Sequence, residues 1–267
     1  MASERGFKFT KADGYERYLG PWSSALGPRF IDFAEVQDGD RVLDVGSGTG
    51  SLALALAASM SRSEVVGIDP SAPYIEFAQT RTGDPRVRFE VGDAMNLPYA
   101  DNYFDKSLAQ LVLSSVPDPK RAVMEMYRVT KTGGVLAACV WGSGTDNERN
   151  YLFWEAAMAV DPAAKQQREP EGGYGRKGRL SALWAECGLK EIKETDLVVS
   201  IDFASFDEFW LPHLEGQGHA GSYVRGLPRD RQEALRERLR HDLLRIKGDG
   251  PFSLRAQAVA VRGILPR

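Results

Sequence analysis

The chain has 267 residues, of which 43% are hydrophobic and 27% are charged, and its formal net charge is -3. This length and composition are typical of one domain with insertions, large enough to bury a substantial core. The slightly negative charge gives no electrostatic reason to expect a nucleic-acid partner.

No segment of this sequence predicts export or a membrane anchor. The first residues are polar and charged, so no signal peptide is expected, and no apolar run is long enough to span a bilayer. Cys139 and Cys187 are too few for a disulfide framework and are expected to be buried free thiols. These features predict a cytoplasmic protein, and they leave its oligomeric state open.

The N-terminal stretch 1–35 carries aromatic side chains at helical spacing. Tyr15, Tyr18 and Trp22 recur every three to four residues and therefore share one side of a helix. Such a stripe either packs into a core or covers a bound ligand.

The next segment joins an apolar strand to a glycine turn and a helix. Residues 41–45 form an apolar run that contains Asp44, and Gly46, Gly48 and Gly50 follow at alternate positions before an apolar helical segment. In α/β folds this arrangement binds nucleotide-like ligands. Glycine suits the turn because it adopts positive φ and has no side chain to hold a ligand away from the backbone.

The glycine spacing argues against a dinucleotide. A dinucleotide fingerprint would need a third glycine at position 51, where the chain has Ser51, and the third glycine comes one residue early, at Gly50. A ligand without a pyrophosphate has less need of a helix N-terminus to hold phosphates. A glycine turn in some other kind of α/β protein remains an alternative at this point.

Further strands and helices alternate after the turn, which predicts a parallel sheet with helices on both faces. Asp69, at the end of the second strand, is placed to accept hydrogen bonds from ribose hydroxyls. Asp118 and Pro119 are expected to begin the fourth helix, and Gly133 and Gly134 to end it. The predicted strands are 41–45, 64–68, 87–91, 105–111, 134–141, 189–201 and 252–263, and the predicted helices include 50–60, 71–81, 119–130, 151–160 and 180–187.

Two later segments lie outside the predicted sheet. Residues 161–178 are rich in proline, glycine and charge and are expected to form a mobile or ligand-dependent loop. The insertion 203–247 begins with aromatic residues and ends in an arginine-rich helix with interleaved acids, which predicts a solvated face. Its aromatic part suits a chamber for an apolar or aromatic small molecule, and its glycine-rich part is either a surface loop or a segment that closes over a substrate.

The series of strand ends, in this order, resembles the class I S-adenosylmethionine (SAM) dependent methyltransferases over residues 30–142. The pattern is closest to the group of ubiquinone and menaquinone C-methyltransferases. The resemblance implies an α/β, Rossmann-like sheet of seven mostly parallel strands, the last antiparallel, with helices on both faces and a helical cap. It also implies a core of residues 36–202 and 248–267, a lid of residues 1–35 and a cap of residues 203–247.

The resemblance assigns the cofactor, S-adenosyl-L-methionine, to the ends of the first four strands. In this family an acid at the position of Asp93 commonly faces the adenine amino group, and the N-terminal aromatic residues are interpreted as a lid over the methyl donor. The expected SAM-binding residues are Asp44, Gly46, Ser47, Gly48, Gly50, Asp69, Pro70, Asp93, Ala94, Gln110, Tyr18 and Trp22.

The predicted function is methyl transfer to a small, apolar or aromatic metabolite. If the acceptor must lose a proton, His213 and His219 of the insertion are the candidate general bases. No metal site is expected, because no carboxylate or thiol cluster joins these histidines at ligand spacing. The alternatives are a SAM-binding protein without catalysis, a methyltransferase that acts on a macromolecule, and an NAD-dependent oxidoreductase.

Overall fold

A computed structural model of the chain describes residues 12–143, 145, 147–167, 173–216 and 218–266. The strands are β1 (Arg41–Val45), β2 (Glu64–Asp69), β3 (Val87–Val91), β4 (Phe104–Gln110), β5 (Thr130–Trp141), β6 (Lys190–Phe203) and β7 (Phe252–Ile264). The helices are α1 (Ala12–Phe33), α2 (Ser51–Ser59), α3 (Ala72–Thr80), α4 (Pro119–Val129), α5 (Glu148–Val160), α6 (Arg179–Glu186), α7 (Phe206–Leu214), α8 (Gly218–Gly226) and α9 (Arg229–Lys247), with a 3-10 helix at Pro162–Gln166.

The seven strands form one sheet in the order β3-β2-β1-β4-β5-β7-β6. β1 pairs in parallel with β2 and β4, the pairs β2–β3 and β4–β5 are also parallel, and β5 pairs antiparallel with β7. The predicted α/β class and the predicted mostly parallel sheet are confirmed. The strand order reverses beside β1, and in open α/β sheets ligands bind at the carboxyl ends of the strands at such a point.

The chain divides into two compact units. The first contains the chain up to Trp22, Gly142–Gly173 and Val198–Gln257, and the second contains Ser23–Trp141, Tyr174–Leu197 and the chain from Ala258 onward. The assignment of residues 1–35 as a lid and 203–247 as a cap stays a prediction.

The second unit is held by central strands that are buried on both faces. Val42, Leu43 and Val45 of β1 are fully buried, as expected for a central parallel strand. Trp184 of α6 is also fully buried, and its indole N–H donates to the Leu136 carbonyl of β5 at 3.2 Å. This helix therefore fixes one face of the sheet by packing and by a hydrogen bond.

The start of β5 differs from the prediction that Gly133 and Gly134 end a helix. α4 already ends at Val129, because Thr130 is extended and its hydroxyl donates to the Met126 carbonyl at 2.7 Å. The register of β5 against β4 shifts between Phe104 and Lys106. The two glycines lie inside the strand, next to this irregularity, so they serve a bulge in the sheet instead of a helix end.

The first unit is mainly helical. α5 packs against α9, the 3-10 helix and α8, and α7 packs against α8. Residues 218–223 of the glycine-rich segment, for which a surface loop was one of the two predictions, are part of α8. The predicted loop at 161–178 contains the 3-10 helix, and its residues 168–172 lie outside the described residues. Among the helices that the structure describes, none is long and apolar enough to cross a membrane.

Candidate functional site

The glycine turn after β1 has an unusual backbone conformation. Gly46, Gly48 and Gly50 have φ values of +71°, +53° and +88°, in the left-handed region that favours glycine. The backbone N–H groups of Gly46 and Ser47 both donate to the Ile68 carbonyl, at 2.7 and 3.0 Å. The turn is therefore fixed to the end of β2, the strand that carries Asp69.

The three glycines have different surroundings. A Cβ atom at Gly46 would lie 2.4 Å from Val112 Cγ2, and one at Gly50 would lie 2.7 Å from Phe89 Cζ. A Cβ atom at Gly48 would have no neighbour within 4 Å. The first and third glycines are therefore required by the packing of the protein, whereas Gly48 borders open space that a ligand could fill.

Asp69 connects this turn to the start of α3. One carboxylate oxygen accepts a hydrogen bond from Gly48 N at 3.0 Å and the other accepts one from Ser71 N at 2.9 Å. Burial raises the pKa of Asp69, and the two backbone hydrogen bonds oppose that rise. Each carboxylate oxygen can accept more than one hydrogen bond, so both retain capacity for ligand hydroxyls.

Asp44 is buried one residue before the end of β1. Its carboxylate accepts a hydrogen bond from Ala53 N in α2 at 3.1 Å. Burial raises the pKa of Asp44 to about 7, and the nearby charge of Asp69 adds to the rise. The side chain links β1 to the helix that follows the glycine turn, and a direct contact with the methyl donor stays a prediction.

The end of β4 contributes an amide with an unused acceptor. The side-chain amide of Gln110 donates to the Ser23 carbonyl at 3.0 Å, and its Oε1 atom is buried without a partner among the described residues. Leu111 follows with a φ of +65°, which is rare for a leucine, and its N–H donates to the Cys139 carbonyl at 2.8 Å. Such backbone strain clusters at ligand sites, and no sequence pattern indicates it at a leucine.

The other predicted SAM-binding residues of the second unit differ in their burial. Ala94 is buried, whereas Pro70 and Asp93 are exposed, and Asp93 accepts a hydrogen bond from Met95 N at 2.8 Å. The Ser47 hydroxyl is buried and has no partner among the described residues. Unused polar atoms at Ser47 and Gln110, with the open side of Gly48, fit a ligand as rich in polar groups as SAM.

Tyr18 and Trp22 lie in the first unit, and both are buried there. The guanidinium of Arg149 lies over both rings, 4.6 Å from the Tyr18 centroid and 5.6 Å from the Trp22 centroid. The edge of Tyr18 also meets the ring of His213 at a centroid distance of 5.2 Å. Their predicted contact with the methyl donor stays a prediction.

The two candidate histidines have different environments. His213 is 1% exposed, and its Nδ1 lies 3.1 Å from the Phe209 carbonyl and 3.3 Å from the Trp210 carbonyl. Because both partners are acceptors, Nδ1 carries the proton and Nε2 keeps a lone pair. Burial lowers the pKa of His213 to about 3, and the charge of Arg149 lowers it further, so the ring is neutral at physiological pH. His219 is exposed on α8.

Sequence reasoning missed Arg149, a charged side chain that is 6% exposed in the first turn of α5. One signal was present. Arg149 precedes the fully buried Phe153 by four residues and therefore shares its helix face. A charge on an apolar helix face is unusual enough to indicate a special role.

Residues 43–138 match the profile of a family described as "Methyltransferase domain". A demethylmenaquinone methyltransferase of Paenarthrobacter aurescens is 40% identical over 50% of this chain and 51% of its own length. A demethylmenaquinone methyltransferase of Staphylococcus epidermidis is 39% identical over 59% of this chain and 70% of its own length. The match thus spans about half of the first relative and more of the second.

A solved structure shares the fold. The YcgJ protein of Bacillus subtilis superposes with a TM-score of 0.58 and 21% sequence identity, covering 92% of this chain and 99% of that chain.

In the described part of the chain, no group of three or more histidine, cysteine or acidic side chains could hold a metal ion.

Proposed function

We propose that this chain, which belongs to the class I SAM-dependent methyltransferases, transfers a methyl group to a small, apolar or aromatic metabolite. The main support for SAM as the methyl donor is the hydrogen bond from Gly48 N to Asp69. This bond joins the glycine turn to the acid that is predicted to bind the ribose hydroxyls. The acceptor half is supported by the names of the relatives, among them a methyltransferase for 2-methyl-6-phytyl-1,4-hydroquinone from rice that is 33% identical over 48% of this chain.

The donor supplies a methyl group on a sulfonium, which is already activated for transfer. Asp69 would bind the ribose hydroxyls, and the glycine turn would let the donor approach the backbone. The protein must also hold the acceptor in line with the transferred methyl group and exclude water. A general base is needed only for an acceptor that loses a proton.

The candidate bases differ in what they can contribute. Neutral His213 has a lone pair on Nε2 that can accept a hydrogen bond, but it holds a proton weakly at a pKa of about 3. His219 is exposed, and its part in catalysis stays a prediction. A phenol or an activated carbon would benefit from such a base, whereas a soft acceptor would need only positioning.

We expect substitution of Gly48 to impair donor binding more than folding. In Gly48→Ala the new methyl group enters open space, and the left-handed conformation costs about 1–2 kcal/mol. In Gly46→Ala the same cost is joined by overpacking against Val112, typically a further 1–3 kcal/mol. Thermal unfolding and calorimetric titration with S-adenosylhomocysteine separate the two effects. A Gly48→Ala protein that binds this ligand as tightly as the wild type would show that the donor does not lie against Gly48.

The reaction is tested by incubating the protein with methyl-labelled SAM and fractionated cell extract. We expect label in a small-molecule fraction and none in boiled-protein controls. Label that enters only protein or nucleic acid would indicate a methyltransferase for macromolecules. Binding of S-adenosylhomocysteine without transfer to any fraction would favour a SAM-binding protein without catalysis, and binding of NAD(H) alone would contradict the donor assignment. The absence of a nucleic-acid partner and the cytoplasmic location stay predictions.

A further inference from the structure

A pocket of the first unit is lined by the start of α7, by one face of α9 and by the segment that leads into β7. Its cavity volume is about 260 Å3, whereas a single water molecule needs only about 10–15 Å3. The pocket is partly open to solvent, so a small organic molecule can enter it. Phe206 and Phe252 line it and are themselves buried, which makes part of its wall apolar.

α9 places three side chains along this pocket. Arg236, Arg240 and Leu244 line it, and their four-residue spacing puts them on one face of the helix. The guanidinium of Arg236 is engaged, since it donates to Asp207 at 2.8 Å and to Glu237 at 2.7 Å. Arg240 forms no hydrogen bond or ion pair with any of the described residues. Its guanidinium is therefore the charge on this face that remains available to an anionic group.

Asp249 provides the opposite charge just beyond the end of α9. It stands between Gly248 and Gly250, whose φ values of +83° and +116° lie in the region that favours glycine. The N–H of Gly248 donates to the Leu244 carbonyl at 2.8 Å, so the turn that carries Asp249 is fixed to the last turn of the helix. Asp249 lines the pocket and, within the described part of the chain, pairs with no cation. The negative end of the helix dipole also favours a positive group here.

The start of α7 contributes wall and leaves no charge to be met. Its dipole is already balanced, because the Glu208 carboxylate accepts a hydrogen bond from Ala204 N at 2.6 Å. The Ser205 hydroxyl accepts one from Glu208 N at 3.3 Å. The ligand charges of this pocket are therefore set by α9 and the turn that follows it.

Arg240 and Asp249 line the same pocket without forming an ion pair with each other. A simple anion would be attracted by the guanidinium and repelled by the carboxylate, and a simple cation would meet the reverse. A molecule that carries both charges matches both side chains, and an apolar side chain on it would match the aromatic part of the wall. The pocket thus selects a zwitterion with an apolar group.

We propose that this pocket binds a free amino acid with an apolar side chain. Arg240 holds the carboxylate, for which a guanidinium offers two parallel donors, and Asp249 holds the ammonium group. Phe206 and Phe252 contact the side chain. The site lies within the first unit and involves none of the predicted SAM-binding residues, so it goes beyond the proposed function.

Calorimetric titration compares L-phenylalanine with two derivatives that each lose one charge. L-Phenylalaninamide lacks the carboxylate, and N-acetyl-L-phenylalanine lacks the ammonium group. At low ionic strength we expect the amino acid to bind about three- to tenfold more tightly than either derivative, between the values typical of exposed and of buried charge pairs.

Two substitutions should remove these two preferences separately. Arg240→Gln is expected to lose the preference over the amide and to keep the preference over the N-acetyl compound. Asp249→Asn is expected to do the opposite. The matched controls in α9 are Arg238→Gln and Glu233→Gln, because Arg238 pairs with Asp242, Glu233 is exposed, and neither lines the pocket. A general disturbance of the fold would weaken all three probes alike.

The amino acid part of SAM carries the same two charges, so the titrations are repeated with saturating S-adenosylhomocysteine. Unchanged binding of L-phenylalanine supports a separate pocket, whereas competition overturns this proposal. If the protein binds no S-adenosylhomocysteine, the proposed function fails, and the separate loss of the two preferences still supports the pocket. The proposal is also overturned if the wild type binds the three probes alike, if it binds none at millimolar concentration, or if the two variants do not differ in the preference that they lose.

Discussion

The Asp69→Ala variant is expected to bind S-adenosylhomocysteine about ten- to a hundredfold more weakly than the wild type. Hydrogen bonds to a charged group contribute roughly 1.5–3 kcal/mol, and the variant loses those that the ribose hydroxyls would make. It also loses the acceptor for Gly48 N, so the glycine turn is less well fixed before the ligand arrives. Calorimetric titration at one pH and one salt concentration measures the change.

Glu64→Ala provides the control for this prediction. Glu64 begins the same strand and forms an exposed ion pair with Arg41, so its loss should leave both fold and affinity nearly unchanged. Circular dichroism checks that the Asp69→Ala protein retains its fold. Wild-type affinity in a folded Asp69→Ala protein would show that another residue binds the ribose.

Asp44 is expected to make the protein less stable as the pH rises from about 4 to 7. Its pKa is raised from an ordinary value of 3.8 to about 7. Within that window the unfolded chain loses the proton and the folded chain keeps it, so folding loses free energy with rising pH. A pKa change of this size corresponds to about 4 kcal/mol, present below the unfolded pKa and fully lost above pH 7.

Asp44→Asn isolates this contribution, because the amide oxygen can still accept the Ala53 hydrogen bond and cannot ionise. The difference in unfolding free energy between variant and wild type should shift in favour of the variant between pH 4 and 7. Urea unfolding at several pH values measures this difference. Exposed acids such as Asp38, whose pKa is lowered to about 2, contribute equally to both proteins and cancel. Parallel profiles for the two proteins would show that folding does not raise the pKa of Asp44.

The sequence predicted the parts of the fold that depend on local pattern. β1 and β3 have the predicted bounds, and the other strands differ by a few residues at their ends. The bulge at Gly133 and Gly134 was not predictable, because it depends on the register with β4. α8 was not predictable either. A Cβ atom at Gly221 would lie 2.9 Å from the backbone of Gly216, so glycine at this position lets α8 pack closely against the turn that precedes it.

The residues of the candidate site also differ in whether the sequence predicts them. The glycine turn and Asp69 could be found from spacing alone, because one strand, one turn and one helix create them. Arg149 and the buried state of His213 depend on how α1, α5 and α7 surround them, and spacing does not contain that information. His213 is neutral because burial and the positive charge of Arg149 lower its pKa, and both effects are visible only in the folded structure.

The strand order has a consequence for biosynthesis. β7 separates β5 from β6 in the sheet, although both precede it in the chain. Ribosomes add about 5–20 residues per second, so β6 waits several seconds for its hydrogen-bonded neighbour. Throughout that interval β5 and β6 expose unpaired backbone edges, which other nascent chains can pair with. Slower translation would lengthen the interval, so co-expression with a chaperone that shields strand edges should increase the yield of folded protein.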